Sequence, residues 1–308
     1  MIKVFIDGKA GTTGLRIEER LSTRDDVTIV SLPEELRKDT EARREIINAS
    51  DVVFLCLPDD AAREAVSLVE NDKVVIIDAS TAHRTNPSWA YGFPELSSEH
   101  EEKIKTSNRI AVPGCHASGF IALVYPLIKA GIISPDAHLF AHSLTGYSGG
   151  GKKMIADYEA PTRDILLDAP RQYGIAQMHK HLPEMTAITG LKTAPIFSPI
   201  VASFYSGMEV TVPLFASDIN GSINDIKSIY SNHYNSDIIK FVDGASEGGF
   251  LSAGAYSGLD SMGISVYGND ERILLVARYD NLGKGASGAA VECLNVRCGV
   301  NKNKTLVL

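Results

Sequence analysis

Short apolar strands alternate with helical stretches along the first third of this 308-residue chain, and that alternation restricts the possible folds most strongly. We predict strands at residues 2–7, 27–32, 52–57, 73–78 and 109–112, with helices at residues 13–21, 40–48 and 59–69. Several of these strands are almost entirely apolar, which is typical of a parallel sheet with helices on both faces. The sequence therefore predicts an α/β protein that begins with a doubly wound domain.

The pattern changes after about Gly114, where longer β-rich segments appear at residues 137–145, 195–201, 208–215 and 272–279. These segments suit a mostly antiparallel sheet with helices on one face, which makes the second part of the chain an α+β domain. Glycine- and serine-rich stretches at residues 147–151 and 245–258 are predicted to be loops near a site or an interface. A last helix is predicted at residues 287–295, and the residues alone leave open which domain it joins.

A glycine-rich turn follows the first predicted strand and leads directly into the first helix. Gly8, Gly11 and Gly14 allow a tight turn, a close approach of the backbone to a pyrophosphate, and packing of helix on strand. With Thr12 and Thr13 they form a helix start, whose free N–H groups and dipole attract an anion. The spacing is Gly-x-x-Gly-x-x-Gly and not Gly-x-Gly-x-x-Gly, so an ordinary glycine-rich turn is the alternative. The position at the start of a βαβ pattern favours a Rossmann-type dinucleotide-binding domain.

The end of the second strand bears on which dinucleotide binds. A site for NAD normally has an acidic residue there to hold the ribose hydroxyls, whereas this strand ends in Ser31 and Leu32. A hydroxyl on Ser31 and cations on Arg37 and Lys38 suit a ribose 2′-phosphate, so we predict NADP as the cofactor. The alternative is that both cations simply lie in water on a helix, and the acidic residues 34 and 35 support it.

Cys115 is the cysteine whose surroundings point to chemistry. It follows a Pro-Gly pair and precedes an apolar stripe of helical spacing that ends near Gly131. A thiol at a helix start has a lowered pKa, because the helix dipole favours the nucleophilic thiolate. The N–H groups of the same turn are also suited to binding an oxyanion. The alternative is an inert buried cysteine, which is what we expect of Cys56, Cys293 and Cys298.

A cysteine nucleophile needs a partner that moves protons, and a histidine segment supplies candidates. His179 and His181 lie just before a predicted helix, and either suits a general acid and base that Glu184 orients. We expect the other histidine of this pair to be structural, and the same holds for His116, which follows the nucleophile. No third or fourth ligand has a spacing suited to zinc, so no metal site is predicted.

Charge and hydropathy restrict the partners and the compartment. A net charge of −8 without a basic tail argues against binding to nucleic acid. The first residues lack the features of a secretory signal, and the longest apolar run, residues 52–57, is too short to span a bilayer. We therefore expect a cytoplasmic protein that does not bind membranes.

Eight short segments resemble a known enzyme family. They are GKAGTTG (8–14), CLPDDAA (56–62), DASTAHR (78–84), YGFPEL (91–96), PGCHASG (113–119), GYSGGGK (146–152), HKHLPEM (179–185) and DNLGKGASGAA (280–290). In this order they resemble the N-acetyl-γ-glutamyl-phosphate reductases of arginine biosynthesis, in the shorter of that family's two forms, over nearly the whole chain. The resemblance implies a Rossmann domain, an α+β domain for catalysis and association, and a homodimer or homotetramer. It also implies NADPH and the substrate N-acetyl-L-glutamyl 5-phosphate.

The resemblance implies roles for individual residues as well. Cys115 matches the cysteine that the family acylates, and His179 or His181 matches its acid and base. The glycine turn matches the family's dinucleotide loop. Asn281 and Lys284 resemble residues that lie near the nicotinamide.

Further matches imply how the substrate is held. Ser80 and Arg84 lie in a loop expected to face the active site, where the forked donors of Arg84 suit a substrate anion. The alternative for Arg84 is a surface arginine. Tyr147, Ser148 and Gly149 are expected to shape the acyl pocket. The family's longer form has NPGCYPT-like residues at the nucleophile, whereas this chain has VPGCHAS, so flanking contacts are not transferred from that form.

These matches lead to an assignment of domains and of a reaction. We assign residues 1–114, with a last helix at about 286–308, to an NADP-binding Rossmann domain, and residues 115–285 to a catalytic and oligomerisation domain. The expected reaction is NADPH-dependent reduction of the acyl phosphate to N-acetyl-L-glutamate 5-semialdehyde and phosphate through a thioester on Cys115. A reductase of the aspartate-semialdehyde dehydrogenase type is the first alternative. A regulator that senses NADP without catalysis is the second.

Overall fold

The computed structural model covers residues 1–308, which fall into two units along the chain. The first unit comprises residues 1–113 and 286–306, and the second comprises residues 114–285 and 307–308. No helix in either unit is long and apolar enough to cross a membrane.

All six strands of the first unit run parallel in one sheet, in the order β2-β1-β3-β4-β6-β5. The strands are β1 (Ile2–Asp7), β2 (Val27–Val30), β3 (Val52–Leu55), β4 (Val75–Asp78), β5 (Ala90–Tyr91) and β6 (Arg109–Ala111). Both β3 and β4 are buried at every position. Such continuous burial is what a sheet covered on both faces requires, and it explains the apolar runs in the sequence.

Helices cover the two faces of this sheet. They are α1 (Thr12–Ser22), α2 (Thr40–Asn48), α3 (Asp59–Ser67), α4 (Ser98–Thr106) and α9 (Gly288–Arg297). One apolar core joins alternate strand residues to α1, α4 and α9, and a second core joins the intervening residues to α2 and α3. The predicted doubly wound α/β domain is therefore confirmed. The last helix packs against α1, α4 and β4, an arrangement that the sequence left open.

The second unit contains a seven-stranded sheet in the order β11-β12-β13-β10-β7-β9-β8. Its strands are β7 (Phe140–Gly146), β8 (Arg171–Gln172), β9 (Ile196–Ala202), β10 (Met208–Phe215), β11 (Ile239–Phe241), β12 (Met262–Gly268) and β13 (Arg272–Tyr279). The β7–β9 and β11–β12 pairs are parallel, and the other pairs are antiparallel. A mostly antiparallel sheet was predicted, and the α+β class of this unit is confirmed.

Helices lie on one face of this second sheet. They include α5 (Cys115–Lys129), which packs on β10 and β13, and α8 (Ile223–His233), which packs on β12. The remaining helices are α6 (Gly151–Glu159) and α7 (Leu182–Thr189), of which α7 packs against α5. Residues 116–127 of α5 are all buried, so this helix forms the centre of the unit. The opposite face of the sheet has no helix among these contacts.

Several predicted bounds were wrong by a few residues. Strand β2 ends at Val30 and not at residue 32, because its pairing with β1 stops at Phe5 and Val30. Strand β3 ends two residues earlier than predicted, β4 begins two residues later, and α3 ends at Ser67. Strand β7 begins at Phe140 and not at residue 137, because Ala137 closes a turn by donating to Ser134 O.

The structure also contains elements that the sequence did not predict, among them α4, α6, α8 and β12. The loop expected at residues 147–151 is a 3-10 turn at Tyr147–Gly150 that runs directly into α6. Helix α8 begins with a capping box, in which the side chains of Ser222 and Asp225 bond each other's backbone N–H groups.

Candidate active site

The glycine turn of the first unit needs glycine at two positions for steric reasons. Gly8 has a φ of +83°, and a Cβ there would lie 2.3 Å from the carbonyl oxygen of Cys56. A Cβ on Gly14 would lie 2.6 Å from Cα of Lys9, because the start of α1 packs on the turn itself. Gly11 differs, since a Cβ there would meet only the oxygen of Gly8, at 3.4 Å. The open side of the turn is therefore at Gly11.

Helix α1 begins in a way that suits an anion. Gly11 is its N-cap in an extended conformation, no side chain caps the helix, and its first turn has no acidic residue. The first N–H groups of an α-helix, here at Thr12, Thr13 and Gly14, have no partner within the helix. These groups and the helix dipole form a phosphate-binding arrangement, so the residues present fit a dinucleotide.

A pocket of about 400 Å³ lies beside this turn. Its lining includes Gly8, Ser31, Arg37 and Lys38, so these four of the residues discussed for the cofactor lie at one pocket. The guanidinium of Arg37 forms an ion pair with Glu34 at 2.8 Å, and Glu34 also lines the pocket. The end of β2 itself has no carboxylate, in agreement with the sequence argument for a 2′-phosphate.

A buried ion pair below the turn was not predicted. Arg43 on α2 reaches Asp7 at the end of β1, with its Nη2 2.9 Å and its Nε 3.2 Å from Asp7 Oδ2. Arg43 also bonds Glu64 on α3 at 3.1 Å. Burial raises the pKa of the Asp7 carboxyl, and the nearby arginine opposes that shift. The pair fixes the strand end from which the glycine turn starts.

Cys115 is the first residue of α5 and is partly exposed. The preceding residue, Gly114, is the N-cap, and its N–H donates to Glu184 Oε1 at 2.8 Å. The contact fixes the start of α5 from α7. Glu184 was predicted to orient a histidine, and its bond to the backbone ahead of the nucleophile is a role that the sequence did not reveal.

Tyr279, at the end of β13, holds the first turn of α5 from the other side. Its buried hydroxyl accepts from the N–H of Gly119 at 3.0 Å and donates to the carbonyl oxygen of Cys115. A Cβ on Gly119 would lie 2.7 Å from that hydroxyl, so glycine makes the approach possible. Burial raises the pKa of Tyr279, and the phenol stays protonated. Tyr279 carried no signal in the sequence because its contact is set by folding alone.

A π-helical turn at Gly283–Ser287 brings backbone against Cys115. A Cβ on Gly285 would lie 3.1 Å from Cβ of Cys115, so this glycine also permits close packing. Lys284 in the same turn is buried. The amide of Asn281 donates to Ser148 Oγ at 3.0 Å and accepts from the N–H of Gly207 at 2.9 Å. Asn281 thus bonds Ser148, one of the residues predicted to shape an acyl pocket.

Aromatic and imidazole rings form a cluster beside α5. The ring of His116 lies 5.7 Å from that of His179, 5.6 Å from that of His181 and 5.3 Å from that of Phe197. His116 is bonded at both nitrogens, to Ser143 Oγ at 2.7 Å and to the Tyr173 hydroxyl at 2.6 Å. The structure therefore brings the predicted histidines together next to the residue that follows the nucleophile.

Burial keeps two of these imidazoles neutral. It lowers the pKa of His116 to about 3, with a smaller contribution from His179. It also lowers the pKa of His179 to about 4, with Lys180 adding repulsion. Nδ1 of His179 accepts from the backbone N–H of His181 at 3.2 Å, so that nitrogen is occupied.

The loop after β4 in the first unit is held by its own polar groups. Asp78 accepts from the hydroxyl of Ser80 at 2.7 Å and lies 2.6 Å from Nδ1 of His83. Arg84 is buried and donates to the carbonyl oxygens of Val112 at 2.9 Å and Ala79 at 3.0 Å. The alternative of a surface arginine was wrong, because Arg84 ties its loop to the residue after β6.

Tyr147 lies in an aromatic group of the second unit. Its ring stacks on Tyr158 at 4.7 Å and meets Tyr205 edge-on, and its hydroxyl donates to Glu159 at 3.2 Å. Ser148 is buried, and Gly149 lies beside the amide of Asn281.

Two family descriptions match most of the chain. Residues 14–104 match the family described as "Semialdehyde dehydrogenase, NAD binding domain". Residues 115–281 match "Semialdehyde dehydrogenase, dimerisation domain".

Curated relatives share over two fifths of the sequence along its length. The N-acetyl-gamma-glutamyl-phosphate reductase of Trichormus variabilis is 44% identical over 97% of this chain and 97% of its own. The protein of the same name from Brucella ovis is 43% identical over 96% of this chain and 99% of its own.

Solved structures show the same fold at low identity. Aspartate semialdehyde dehydrogenase from Francisella tularensis has a TM-score of 0.73 at 15% identity, covering 96% of this chain and 99% of that chain. The enzyme of that name with NADP from Candida albicans has a TM-score of 0.69 at 16% identity, covering 98% of this chain and 99% of that chain.

The geometry of the glycine turn predicts that two similar substitutions differ in their effect on the stability of the protein. Gly14→Ala forces a Cβ against backbone and should destabilise the protein by about 1–3 kcal/mol, the usual result of overpacking. Gly11→Ala should leave stability within about 0.5 kcal/mol of the original, because the added methyl makes only an ordinary contact with the oxygen of Gly8, at 3.4 Å. It should nevertheless weaken dinucleotide binding. Urea unfolding and fluorescence titration with NADPH measure both effects, and equal stabilities for the two variants would contradict the steric argument.

Proposed function

We propose that this chain, which belongs to the N-acetyl-γ-glutamyl-phosphate reductase family, reduces N-acetyl-L-glutamyl 5-phosphate to N-acetyl-L-glutamate 5-semialdehyde and phosphate. The observation that carries the proposal is the placement of Cys115 as the first residue of α5, with Glu184 and Tyr279 fixing the backbone around it. A thiol in that position is activated by the helix start, as a covalent mechanism requires.

The proposed cofactor is NADPH. Gly8, Gly11, Thr12, Thr13 and Gly14 would hold the pyrophosphate, in a domain that matches an NAD-binding family. Ser31 and Arg37 line the adjoining pocket, where a 2′-phosphate would compete with Glu34 for the guanidinium. When bound, this cofactor supplies the hydride that reduces the thioester.

The first chemical step makes the thioester. The thiolate of Cys115 forms a C–S bond to the acyl carbon, and the bond from that carbon to the phosphate oxygen breaks with its electron pair. The leaving phosphate takes one proton from a histidine, which is replaced from solvent. The first-turn N–H groups of α5 are suited to stabilise the carbonyl oxygen while it is negative. After reduction, that oxygen returns to a carbonyl, the C–S bond breaks, and the thiolate is restored.

Of the two histidines, we propose that His181 is the acid and base. Burial lowers the pKa of His179 to about 4, and its Nδ1 already accepts from the backbone. Both properties make His179 the poorer proton donor of the pair at neutral pH. His181 is the N-cap residue of α7, the helix whose Glu184 holds the residue before Cys115.

For the remaining residues we propose roles in positioning. The oxygen and the nitrogen of the Asn281 side-chain amide are both bonded to the protein, so Asn281 holds Ser148 and Gly149 at the proposed acyl pocket. Arg84 directs two nitrogens at main-chain carbonyls, so it holds its loop, and Ser80 with it, at the end of the parallel sheet. Ligands of open parallel sheets bind at this carboxyl edge.

The alternatives are less well supported. The aspartate semialdehyde dehydrogenases match at 15–16% identity, which supports the shared fold only. A regulator that only senses NADP would have no use for a cysteine at a helix start with its backbone held on both sides.

We further propose that the helix-free face of the seven-stranded sheet joins two copies of this chain. Cross-strand pairs place Phe215, Pro213 and Leu274 on this face, and Phe140 and Ile196 extend it. Phe215 is 60% exposed and Ile196 is 63% exposed, which is unusual for large apolar groups on a sheet. The face lies in the region that matches a dimerisation domain. The homodimer or homotetramer and the cytoplasmic location stay predictions.

Replacing the nucleophile tests the covalent route. Cys115→Ser should lower kcat by roughly 10⁴-fold or more, because a serine hydroxyl is a far weaker nucleophile at neutral pH. NADPH affinity, measured by fluorescence titration, should not change. The assay follows NADPH consumption with N-acetyl-L-glutamyl 5-phosphate, and β-aspartyl phosphate serves as the control substrate. Near-normal turnover by the serine variant would exclude the thioester.

The two histidines should differ when each is replaced by asparagine, which keeps polarity and similar size. His181→Asn should lower kcat by about 10²–10⁴-fold, since it removes the proton-transfer group. His179→Asn should cause a much smaller loss, because His179 is neutral and its Nδ1 is occupied. Steady-state kinetics of both variants decide the assignment, and the reverse order of losses would give the role to His179.

The sheet face makes a prediction about assembly. Phe215→Lys places a charge in the proposed contact and should shift the protein toward monomers at micromolar concentration, as sedimentation velocity would show. Ile165→Lys is the matched control, because Ile165 is 78% exposed but lies outside the sheet. An unchanged assembly state in Phe215→Lys would place the contact elsewhere.

A further inference from the structure

A chain of three buried or partly buried side chains leads from β7 toward the start of α5. Ser143 Oγ lies 2.7 Å from Nδ1 of His116, and Nε2 of His116 lies 2.6 Å from the hydroxyl of Tyr173. Ser143 is fully buried and His116 nearly so, whereas Tyr173 is only partly buried. The chain therefore runs from the interior outward.

The hydrogen bonds that link Ser143, His116 and Tyr173 have one consistent donor-to-acceptor direction. A neutral imidazole has one nitrogen that donates and one that accepts. We assign Ser143 as the donor and Nδ1 of His116 as the acceptor, because a buried hydroxyl whose hydrogen has no acceptor would destabilise the protein. Nε2 of His116 then carries the hydrogen and donates it to the oxygen of Tyr173. As a result, Tyr173 keeps its own hydrogen for an acceptor outside the chain.

Tyr173 lies in the ring cluster beside α5. Its ring is 6.0 Å from that of His116, which follows Cys115 directly, and 5.9 Å from that of His179. Burial raises the pKa of Tyr173, with a smaller contribution from Cys115, so the phenol keeps its proton at neutral pH. The phenol is therefore available as a hydrogen-bond donor.

We propose that Tyr173 is a further catalytic residue, whose O–H donates to the substrate carbonyl oxygen, with His116 and Ser143 as positioning residues that leave this hydrogen available. The inference rests on the proposed function. As sulfur bonds to the acyl carbon, the carbonyl electron pair moves to oxygen, and it returns when the bond to phosphate breaks. No proton leaves Tyr173 in this step. Its hydrogen bond strengthens while the oxygen is negative, which is what lowers a barrier.

Removing the phenol hydroxyl tests the proposal directly. Tyr173→Phe should lower kcat by about 10²-fold, the typical loss for one oxyanion donor, with little change in KM. The acylation step should slow as well, which a burst of phosphate release from the enzyme without cofactor would show. Tyr234→Phe is the matched control, since Tyr234 donates to the carbonyl of Ala122 within the helical layer and should keep full kcat. A Tyr173→Phe enzyme with kcat and burst rate like those of the original would overturn the proposal.

A second pair of variants tests the direction of the chain. Ser143→Ala removes the donor to His116, so Nδ1 can take the hydrogen and Nε2 then accepts the hydrogen of Tyr173. Ser143→Ala should therefore lower kcat although Tyr173 is intact. The double variant, Ser143→Ala with Tyr173→Phe, should be no slower than Tyr173→Phe alone. Fully additive losses would overturn the positioning roles. Should Ser143→Ala unfold, Ser143→Cys, a weaker donor of similar size, takes its place and should give a smaller loss of kcat in the same non-additive pattern.

Both tests are separable from the proposed function itself. Turnover of N-acetyl-L-glutamyl 5-phosphate by the unmodified protein and its loss in Cys115→Ser establish that function. With those two results in hand, an unaffected Tyr173→Phe enzyme counts only against the role of Tyr173. An inactive unmodified protein would count against the function.

Discussion

The first turn of α5 is held by side chains that come from far along the chain, and the proposed chemistry at Cys115 depends on these contacts. Glu184 binds the N–H of Gly114, and Tyr279 binds the carbonyl of Cys115 and the N–H of Gly119. A helix start normally frays, because its first N–H groups lack partners. Here the groups around the nucleophile are fixed while the N–H groups within the turn remain suited to an oxyanion. Rigid donors of this kind stabilise developing charge without reorganising.

Close approach of neighbouring groups to the backbone is the second condition, and glycine makes it possible in both units. Gly8 lets the glycine turn lie against Cys56, the residue after β3, where a Cβ on Gly8 would lie 2.3 Å from the carbonyl oxygen. Gly119 admits the hydroxyl of Tyr279, and Gly285 admits the π-helical turn against Cys115. At each of these positions the absence of a side chain allows the contact, so an alanine methyl would push against the neighbouring carbonyl, hydroxyl or cysteine. The glycine content of the motifs therefore has a steric cause.

Much of the fold follows from local pattern, and much of the site does not. The bounds of β10 and β13 were predicted as observed, since both strands are apolar segments that stand out from the residues around them. Helix α6 was missed because the glycines before it indicate a loop. Cys115 and the histidine pair stood out by residue type and position. Tyr173 and Tyr279 did not, because a tyrosine becomes a donor at a site only through tertiary contacts.

Some predicted site residues also bond the protein around them. Arg84 was predicted to hold a substrate anion, and two of its nitrogens donate to carbonyl oxygens, while the anion role stays a prediction. Glu184 was predicted to orient a histidine, which also stays a prediction, and one of its oxygens accepts from the backbone N–H of Gly114. Sequence shows what a side chain is able to donate or accept but not which partner it meets first.

The number of hydrogens on His116 determines how the hydrogen bonds from Ser143 to Tyr173 are directed. Burial that keeps the imidazole neutral leaves it a single hydrogen, so the direction of one bond fixes the direction of the next. A protonated His116 would donate from both nitrogens and would no longer pass on any preference between its neighbours. The low pKa of His116 is therefore what allows a serine in the interior to determine which way a tyrosine beside the nucleophile can donate. Residues of this kind affect a reaction without touching it, through the one hydrogen that each group has available.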